Sequence, residues 1–267
     1  MNIFESFILG LTQGLTEFIP VSSSGHLEIV ERLIADRSGD FHLFLEFINL
    51  GTLLALLIFY RKRIWGIIVD VFKNKNYKML INLIITSIPA GLAGILLADL
   101  IEELPFFSSM ITIAIAIGVI GILMIYIDKL PHLSKLKDEN KLTPKRAGLI
   151  GLAQVLALIP GTSRSGATIV AGRMVGLDSE GAVNYSFLAS IPIMCGVCLK
   201  MFLSSTSRAY LFANAGMLVF SNLVAFIAGY FALKFVLKYV KKPNALRNFG
   251  IYRVILALVI LIVVLIQ

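Results

Sequence analysis

Residues 13–26 read Gln13-Gly-Leu-Thr-Glu17-Phe-Ile-Pro20-Val-Ser22-Ser23-Ser24-Gly25-His26, a run that puts an acid, three hydroxyls and a histidine inside apolar sequence. The second half of the chain contains a partial repeat of this run, Gln154-Val-Leu-Ala-Leu-Ile-Pro160-Gly-Thr162-Ser163-Arg164-Ser165-Gly166. Proline, glycine and serine interrupt helices and form turns. We therefore interpret residues 20–24 and 160–166, called the first tip and the second tip below, as polar turns that connect the arms of two helical hairpins.

The composition of the chain predicts an integral membrane protein. Of its 267 residues, 58% are hydrophobic and 15% are charged, and the mean hydropathy is +0.88. Soluble proteins carry about a quarter charged residues, and the alternating strands of an outer-membrane barrel are absent from the sequence. The net charge of +8 comes from lysines and arginines clustered in short loops, which indicates positive-inside topology rather than a nucleic-acid partner.

Six apolar segments are long enough to cross a bilayer as helices. They comprise residues 41–60, 79–100, 106–127, 182–202, 210–236 and 252–266. The arms of the two hairpins are too short to cross, and they comprise residues 3–19 with 25–34 and residues 147–159 with 167–175. The predicted fold is therefore an all-α integral membrane protein with six transmembrane helices and two re-entrant helical hairpins.

The two halves of the chain, residues 1–130 and 144–267, follow the same plan within a single membrane domain and are joined by a polar linker. With one residue of slippage, the positions that align are Gly10, Gln13, Pro20, Ser24 and Gly25 with Gly151, Gln154, Pro160, Ser165 and Gly166. Each half has three spans, and because three is odd the second half is inverted relative to the first. Inverted repeats with broken helices form the central sites of transporters.

The loop charges predict how the chain is oriented in the membrane. The loop after the first span is rich in lysine and arginine over residues 61–78 and is expected inside, whereas Asp99, Glu102 and Glu103 indicate an outside loop. Both termini then lie outside. The first hairpin enters from outside and the second from inside, so that the two tips face each other near the midplane.

The second tip has the side chains of a phosphate-binding site. A charge at the bilayer centre costs roughly 2.5–3.5 kcal/mol on insertion scales, which makes Arg164 a functional candidate. Its guanidinium matches phosphate as a bidentate donor, and N–H groups at a helix N-terminus bind anions. The phosphate-binding candidates of this tip are Ser163, Arg164, Ser165, Gly166 and Thr168, the last one turn into the following helix.

The first tip adds groups that can react. Glu17 is a candidate base, a partner that orients His26, or a ligand of a divalent cation. His26 itself transfers protons near neutral pH. The candidate nucleophile is Ser23 or a water, while Ser22, Ser24 and Gly25 are phosphate-binding candidates, although serines beside a proline also act as caps. Support for the site is expected from Gln13, Glu46, Asn49 and Gln154, the two glutamines by hydrogen bonds between the hairpins.

At these two motifs the sequence strongly resembles the undecaprenyl-pyrophosphate phosphatase family, also called the bacitracin-resistance family. The resemblance covers essentially the whole chain and is carried by residues 13–26 and by Pro-Gly-Thr-Ser-Arg-Ser-Gly-Ala-Thr at 160–168. It implies hydrolysis of undecaprenyl pyrophosphate to the monophosphate and inorganic phosphate, which regenerates the lipid carrier of cell-wall synthesis and confers bacitracin resistance. It also implies a location in the bacterial cytoplasmic membrane, with an active site that opens to the outer face.

The resemblance also implies roles for single residues. The family's catalytic Glu, Ser and His correspond to Glu17, Ser23 and His26, and its phosphate-binding Ser-Arg-Ser to Ser163, Arg164 and Ser165. Activity in the family depends on a divalent cation, Mg²⁺ or Ca²⁺, for which Glu17 is the candidate ligand here. The family's acidic motif is Glu or Gln, three residues, then Glu. Because its first position is Gln13 here, a metal site built from two carboxylates is disfavoured.

We therefore predict a phosphatase whose partners are the polyprenyl pyrophosphate lipid and the bilayer, with no nucleic acid; association into a homo-oligomer stays open. The alternative is a membrane transporter or flippase of polyprenyl phosphate, because the inverted repeat is a transport architecture. A flippase would use the same phosphate clamp without needing His26 or Glu17 for bond cleavage. Phosphate release by the purified protein distinguishes the two.

Overall fold

A computed structural model describes residues 2–34, 41–130 and 136–266 of the chain. Within these ranges there are thirteen α-helices. In chain order they are α1 (Ile3–Phe18), α2 (Ser23–Ile34), α3 (Phe41–Phe47), α4 (Asn49–Phe72), α5 (Lys78–Glu103), α6 (Pro105–Ser108), α7 (Met110–Asp128), α8 (Pro144–Val155), α9 (Arg164–Met174), α10 (Ser179–Leu203), α11 (Ser205–Ala213), α12 (Ala215–Tyr239) and α13 (Ala245–Ile266). Residues 131–135 of the predicted linker, and the acidic side chains of the predicted outside loop, lie outside this description.

The prediction of six spans is confirmed. Six helical stretches have the length and hydropathy to cross a membrane: Phe41–Phe72, Lys78–Leu97, Met110–Asp128, Ser179–Leu203, Ala215–Tyr239 and Ala245–Ile266. Large apolar side chains cover the outside of these helices, for example Leu96, Ile115 and Phe231, which are all more than half exposed. Water would make such a surface unfavourable and lipid makes it favourable, so the chain is a multi-pass membrane protein.

The span boundaries differ most from the predicted ones at three places. α4 continues through the basic residues 61–63, because lysine and arginine favour helix and their long side chains reach water from a span's end. The predicted segment 210–236 is broken at Asn214, whose side-chain amide donates to a carbonyl of the preceding turn. α13 begins at Ala245, well before the predicted residue 252, which places Arg253 inside the last span.

Each tip is a break between two helices that is stabilised by the same local structure. Ser22 and Ser163 have positive φ values of 79° and 69°, a conformation that residues with a Cβ rarely adopt. The hydroxyl of each accepts a hydrogen bond from the N–H of the glycine three residues later, at 3.3 Å from Gly25 and 3.1 Å from Gly166. α2 and α9 therefore begin with matching serine caps.

Helices from one half of the chain pack closely against helices from the other half. α1 lies along α12, where a Cβ on Gly10 would be 2.5 Å from the carbonyl oxygen of Ser221. α8 lies along α5, where a Cβ on Gly151 would be 2.7 Å from the carbonyl oxygen of Thr86. Glycine at these positions lets the backbones approach, as is typical of helix pairs in membranes.

The directions of these pairs follow from which residues touch. Along α1, Ser6 contacts Ser221 and Gly14 contacts Ala225, so α1 and α12 run parallel. α8 runs parallel to α5 in the same way, since residues 142 and 158 lie near residues 82 and 94. α4 is parallel to α12, and α5 returns from α4 after a short turn. The first arms of the two hairpins, α1 and α8, therefore point in opposite directions, and their tips approach each other.

Candidate active site

The two tips meet at a small cavity of about 170 Å³. It is lined by residues from both tips and from the helices that lead to them, namely Glu17, Ser23, Ser24, Ala157, Ser163, Arg164 and Ser165. The tips also touch directly, because the backbone N–H of Gly161 donates to the hydroxyl of Ser24 at 3.3 Å. The structure thus brings the predicted acid and serine of the first tip together with the Ser-Arg-Ser sequence of the second.

Glu17 is the side chain on which both tips converge. Its Oε1 accepts a hydrogen bond from Nη2 of Arg164 at 2.6 Å, which is an ion pair between the two halves of the chain. Its Oε2 accepts from the hydroxyl of Ser23 at 2.7 Å and from the amide of Gln13 at 3.1 Å. A serine that donates to a carboxylate beside a guanidinium is an arrangement suited to nucleophilic attack on a phosphorus atom.

Gln13 supports Glu17 through its amide nitrogen. Nε2 donates both to Glu17 and to Oδ1 of Asn49, the latter at 2.7 Å. Asn49 is fixed in turn because its own amide donates to the carbonyls of Leu45 and Glu46, at the break between α3 and α4. Gln13 and Asn49 are therefore supporting residues. Glu46 contributes its backbone carbonyl to this chain of hydrogen bonds.

Gln154 occupies the equivalent position in α8 but lies away from the cavity. Its Nε2 is 3.4 Å from the carbonyl oxygen of Thr86 in α5, and its buried Oε1 accepts no hydrogen bond from the described residues. Gln13 and Gln154 were expected to link the hairpins by hydrogen bonds. Instead, Gln13 bonds to Glu17 and to Asn49 of α4, and Gln154 bonds to Thr86 of α5.

Several predicted phosphate-binding residues lie behind the cavity wall. The hydroxyl of Ser22 is fully buried and caps α2, so the N–H of Gly25 is already bonded, and the N–H of Gly166 is bonded to the cap of α9 in the same way. Thr168 is also buried, with its hydroxyl 2.8 Å from the carbonyl oxygen of Arg164 and 2.6 Å from the hydroxyl of Ser186. Ser22, Gly25, Gly166 and Thr168 therefore stabilise the shape of the tips. The residues that line the cavity are their neighbours in sequence, such as Ser23 and Ser165.

His26 is the predicted catalytic residue that does not line the cavity. Its Nδ1 lies 2.7 Å from the carbonyl oxygen of Ser22 and its Nε2 lies 2.7 Å from the hydroxyl of Tyr252. The hydrogen bonds of the imidazole thus go to groups other than Glu17 or Ser23.

Arg253 is a functional residue that the sequence analysis missed. Its side chain is fully buried and donates to four backbone carbonyls, those of Pro20, Ile117, Gly161 and Thr162, at 3.0–3.2 Å. It thereby holds the two tips and α7 together. A lone arginine within an apolar span is itself a signal of function, and it was overlooked because the predicted span began at residue 252, which made Arg253 a residue of the membrane edge.

The cavity does not offer a resident metal site. Glu17 is the one carboxylate among its lining residues, and both of its oxygens already accept hydrogen bonds. Over residues 2–34, 41–130 and 136–266 there is no group of three or more His, Cys, Asp or Glu side chains placed to hold an ion. Mg²⁺ and Ca²⁺ require several oxygen ligands, so the protein alone does not supply the set that the resemblance implies.

The chain matches known proteins along nearly its whole length. The family described as "Bacitracin resistance protein BacA" matches residues 6–259. Undecaprenyl-diphosphatase 1 of Clostridioides difficile (strain 630) is 37% identical over 272 residues, which covers 98% of this chain and 96% of that protein. An undecaprenyl-diphosphatase of Methylobacillus flagellatus is 34% identical over 97% of each chain, and one of Acinetobacter baumannii (strain ATCC 17978) is 35% identical over 98% of this chain and 95% of its own.

Proposed function

The chain belongs to the family of the bacitracin resistance protein BacA, and we propose on that premise that it is an undecaprenyl-diphosphatase. It hydrolyses undecaprenyl pyrophosphate to undecaprenyl phosphate and inorganic phosphate, which recycles the lipid carrier of cell-wall synthesis and confers bacitracin resistance. The observation that carries this proposal is the contact of Glu17 with Ser23 on one side and with Arg164 on the other.

In our proposal the second tip binds the diphosphate. Arg164 uses Nη2 for Glu17, whereas its Nη1 is buried and donates to no described residue. A buried donor without a partner is unfavourable, and a phosphate oxygen would satisfy it. The hydroxyls of Ser163 and Ser165 lie 3.2 Å apart beside this guanidinium and supply further donors for the same phosphate. Charge stabilisation of this kind is the largest part of phosphoryl-transfer catalysis.

The first tip supplies the attacking group. The oxygen of Ser23, or of a water in its place, attacks the terminal phosphorus while its hydrogen passes to Oε2 of Glu17, now 2.7 Å away. The bond from that phosphorus to the bridging oxygen breaks, and undecaprenyl phosphate leaves with the bonding electrons. If Ser23 attacks, a water then cleaves the phosphoserine in a second step; if a water attacks, inorganic phosphate forms directly.

The ion pair between the tips also bears on substrate binding. While Nη2 of Arg164 bonds to Glu17, Nη1 is the donor that is left for a phosphate oxygen. A bound diphosphate competes for the guanidinium with a larger negative charge than one carboxylate. Substrate binding thus weakens the contact between Arg164 and Glu17 and leaves Glu17 to Ser23 or water.

We propose that the divalent cation arrives with the substrate. The diphosphate itself offers several oxygen ligands, and Glu17 is the one cavity carboxylate that could add another. A cation held by those oxygens would neutralise phosphate charge. The described residues that line the cavity include no second carboxylate, which supports a cation held mainly by the lipid's own oxygens.

We also propose that α1–α2 and α8–α9 are re-entrant hairpins related by an inverted repeat, with both termini outside and the cavity open to the outer face. Three features support this arrangement: the matching serine caps, the opposite directions of α1 and α8, and the exchange of partners in which α1 packs on α12 while α8 packs on α5. α7 and α13, the equivalent last spans, pack on each other through Gly121 and Gly250.

Release of phosphate from undecaprenyl pyrophosphate by the purified protein tests the proposed function. We expect release by the unmodified protein and loss of at least about 100-fold in Glu17→Gln, which keeps the shape of the side chain but not its basicity. Glu28→Gln is the matched control, because Glu28 forms a half-exposed ion pair with Arg32 on the other arm of the same hairpin. No release from folded protein that still binds the lipid would favour the flippase.

A further inference from the structure

Both ring nitrogens of His26 are engaged by other groups. A carbonyl only accepts hydrogen bonds, so the nitrogen that faces the carbonyl of Ser22, Nδ1, carries a hydrogen. In the neutral ring Nε2 is then an acceptor, and the group that faces it at 2.7 Å is the hydroxyl of Tyr252. A proton that reaches or leaves Nε2 in this arrangement passes through the oxygen of Tyr252.

Tyr252 is held in place by two further contacts of its helix. Its ring stacks on the imidazole, with centroids 5.8 Å apart and planes inclined by 5°. The next residue, Arg253, ties α13 to the backbone of both tips. Tyr252 is 45% exposed whereas His26 is partly buried behind it. The hydroxyl therefore stands between the imidazole and the surroundings of the protein.

We propose that Tyr252 is a positioning residue of the phosphatase, which fixes the tautomer and orientation of His26 and relays its protons. When Nε2 takes the phenolic hydrogen, the phenolic oxygen takes one from a water or phosphate group that reaches it, so that the imidazole becomes positively charged, that group becomes more negatively charged and the tyrosine stays neutral. This role deepens the proposed function and rests on it. Glu17, which is bonded to Arg164 and Ser23, keeps the separate role of base for the attacking group.

The groups that face His26 come from two elements. α13 presents the hydroxyl of Tyr252 and the charge of Arg253, and the first tip presents the carbonyl of Ser22. Because the carbonyl fixes Nδ1, the tyrosine is the partner that decides the state of Nε2. Removal of the single oxygen of Tyr252 therefore isolates the proposed role and leaves the stacked ring in place.

The experiment is a double-mutant cycle of Tyr252→Phe and His26→Ala, measured as kcat and KM for phosphate release. We expect Tyr252→Phe alone to lower kcat by about 10- to 100-fold with KM changed less than about twofold, since general acid–base steps contribute on the order of 10²–10⁴. In the His26→Ala background the same change should lower kcat by less than about twofold, because there is no imidazole left to position. Tyr126→Phe, an exposed tyrosine of α7, is the control.

Either of two results would overturn the inference. One is wild-type kcat in Tyr252→Phe, and the other is an equal loss of kcat with and without His26, which would mean a structural effect independent of the imidazole. Thermal unfolding in detergent identifies variants that fail to fold, and Tyr252→Trp, which retains a ring and a donor, serves as a second variant in that case. The unmodified protein reports separately on the proposed function, because absence of its phosphate release contradicts the phosphatase itself.

Discussion

At the scale of single residues, the pair of Glu17 and Arg164 decides both the stability and the chemistry of the cavity. The side chains are 12% and 17% exposed, and loss of one partner from a buried pair costs about 3–5 kcal/mol because the other charge is left alone. The same guanidinium binds the substrate when a phosphate oxygen becomes a partner of Arg164. We therefore expect substitutions at these two residues to affect both folding and catalysis, so that stability and turnover are measured separately.

Arg164→Ala should lower kcat/KM by about 10³-fold or more, and by more than any single serine substitution. An arginine that stabilises transferring phosphate contributes on the order of 10³–10⁵, whereas one hydroxyl donor contributes about 10²–10³. Arg164→Lys should fall between, since lysine keeps the charge and loses the planar fork. Initial rates of phosphate release measure all three, with the surface variant Arg32→Ala as the unaffected control. Near-normal turnover in Arg164→Ala would contradict the proposed phosphate-binding role of Arg164.

Gln13→Glu should create a cation site at the cavity. The new carboxylate would lie where the amide now stands 3.1 Å from Glu17, so that two acids face each other and favour an ion between them. We expect Mn²⁺, followed by electron paramagnetic resonance without lipid, to bind Gln13→Glu at least about 10-fold more tightly than the unmodified protein. Gln154→Glu, in the equivalent position away from the cavity, is the comparison. Equally tight binding to unmodified protein without lipid would refute a substrate-borne cation.

At the scale of helices, close packing depends on glycines that have no room for a side chain. A Cβ on Gly10 or Gly151 would meet a carbonyl oxygen of the facing helix at 2.5 or 2.7 Å. Because that oxygen belongs to the backbone, the whole facing helix would have to move to make room. A Cβ on Gly91, in the span formed by α5, would instead meet no atom within 4 Å. Substitution of a helical glycine by alanine therefore has a different effect on stability at different positions of the chain. The neighbouring residues in the sequence do not show which effect to expect.

Gly10→Ala and Gly151→Ala should each destabilise the protein by about 1–3 kcal/mol, the usual range for overpacking. Gly91→Ala should leave stability unchanged or raise it by up to about 1 kcal/mol, because alanine is the better helix former. Thermal unfolding in detergent, followed by circular dichroism, compares the three variants. A destabilised Gly91→Ala, or an unaffected Gly10→Ala, would show that the contacts between α1 and α12 are looser than described.

The spans and tips were predictable from sequence because their signals are local. About 20 apolar residues define a span, and proline, glycine and serine define a break. What the sequence could not reveal are contacts between distant residues. Tyr252 and Arg253 lie more than two hundred residues from the first tip in sequence and touch it only after folding. The break at Asn214 was missed for a related reason, since one polar residue within a long apolar run barely changes its hydropathy.

At the scale of the whole molecule, the two halves form one body by exchanging helices. α12, from the second half, packs against α1 and α4 of the first half, and α5, from the first half, packs against α8 and α10 of the second. Such an exchange matches a twofold relation within the membrane plane, which would place α1 and α8 on opposite sides of the bilayer. The orientation of the loops then becomes the decisive measurement for the architecture.

Labelling of single cysteines should reveal this orientation. After Cys195 and Cys198 are replaced by alanine, a membrane-impermeant maleimide should reach Lys73→Cys and Lys242→Cys only from the cytoplasmic side, since both lie in basic loops. Thr206→Cys, exposed between α10 and α12, should react only from the outer side. Intact cells compared with inverted vesicles provide the two sides. Reaction of all three positions from one side would exclude the inverted arrangement.

The packing of helices from one half against the other also determines the order in which the helices dock during translation. Ser6 of α1 and its partner Ser221 of α12 are separated by 215 residues, which a ribosome adds in roughly 10–40 s at 5–20 residues per second. α8, by contrast, emerges after α5 has already been made. The first hairpin therefore waits for α12, and Glu17 waits for Arg164, which lies 147 residues later in the chain, while the second hairpin docks at once. Nascent chains that stall before Arg164 is made would expose an uncompensated acid to the insertion machinery and become targets of quality-control proteases.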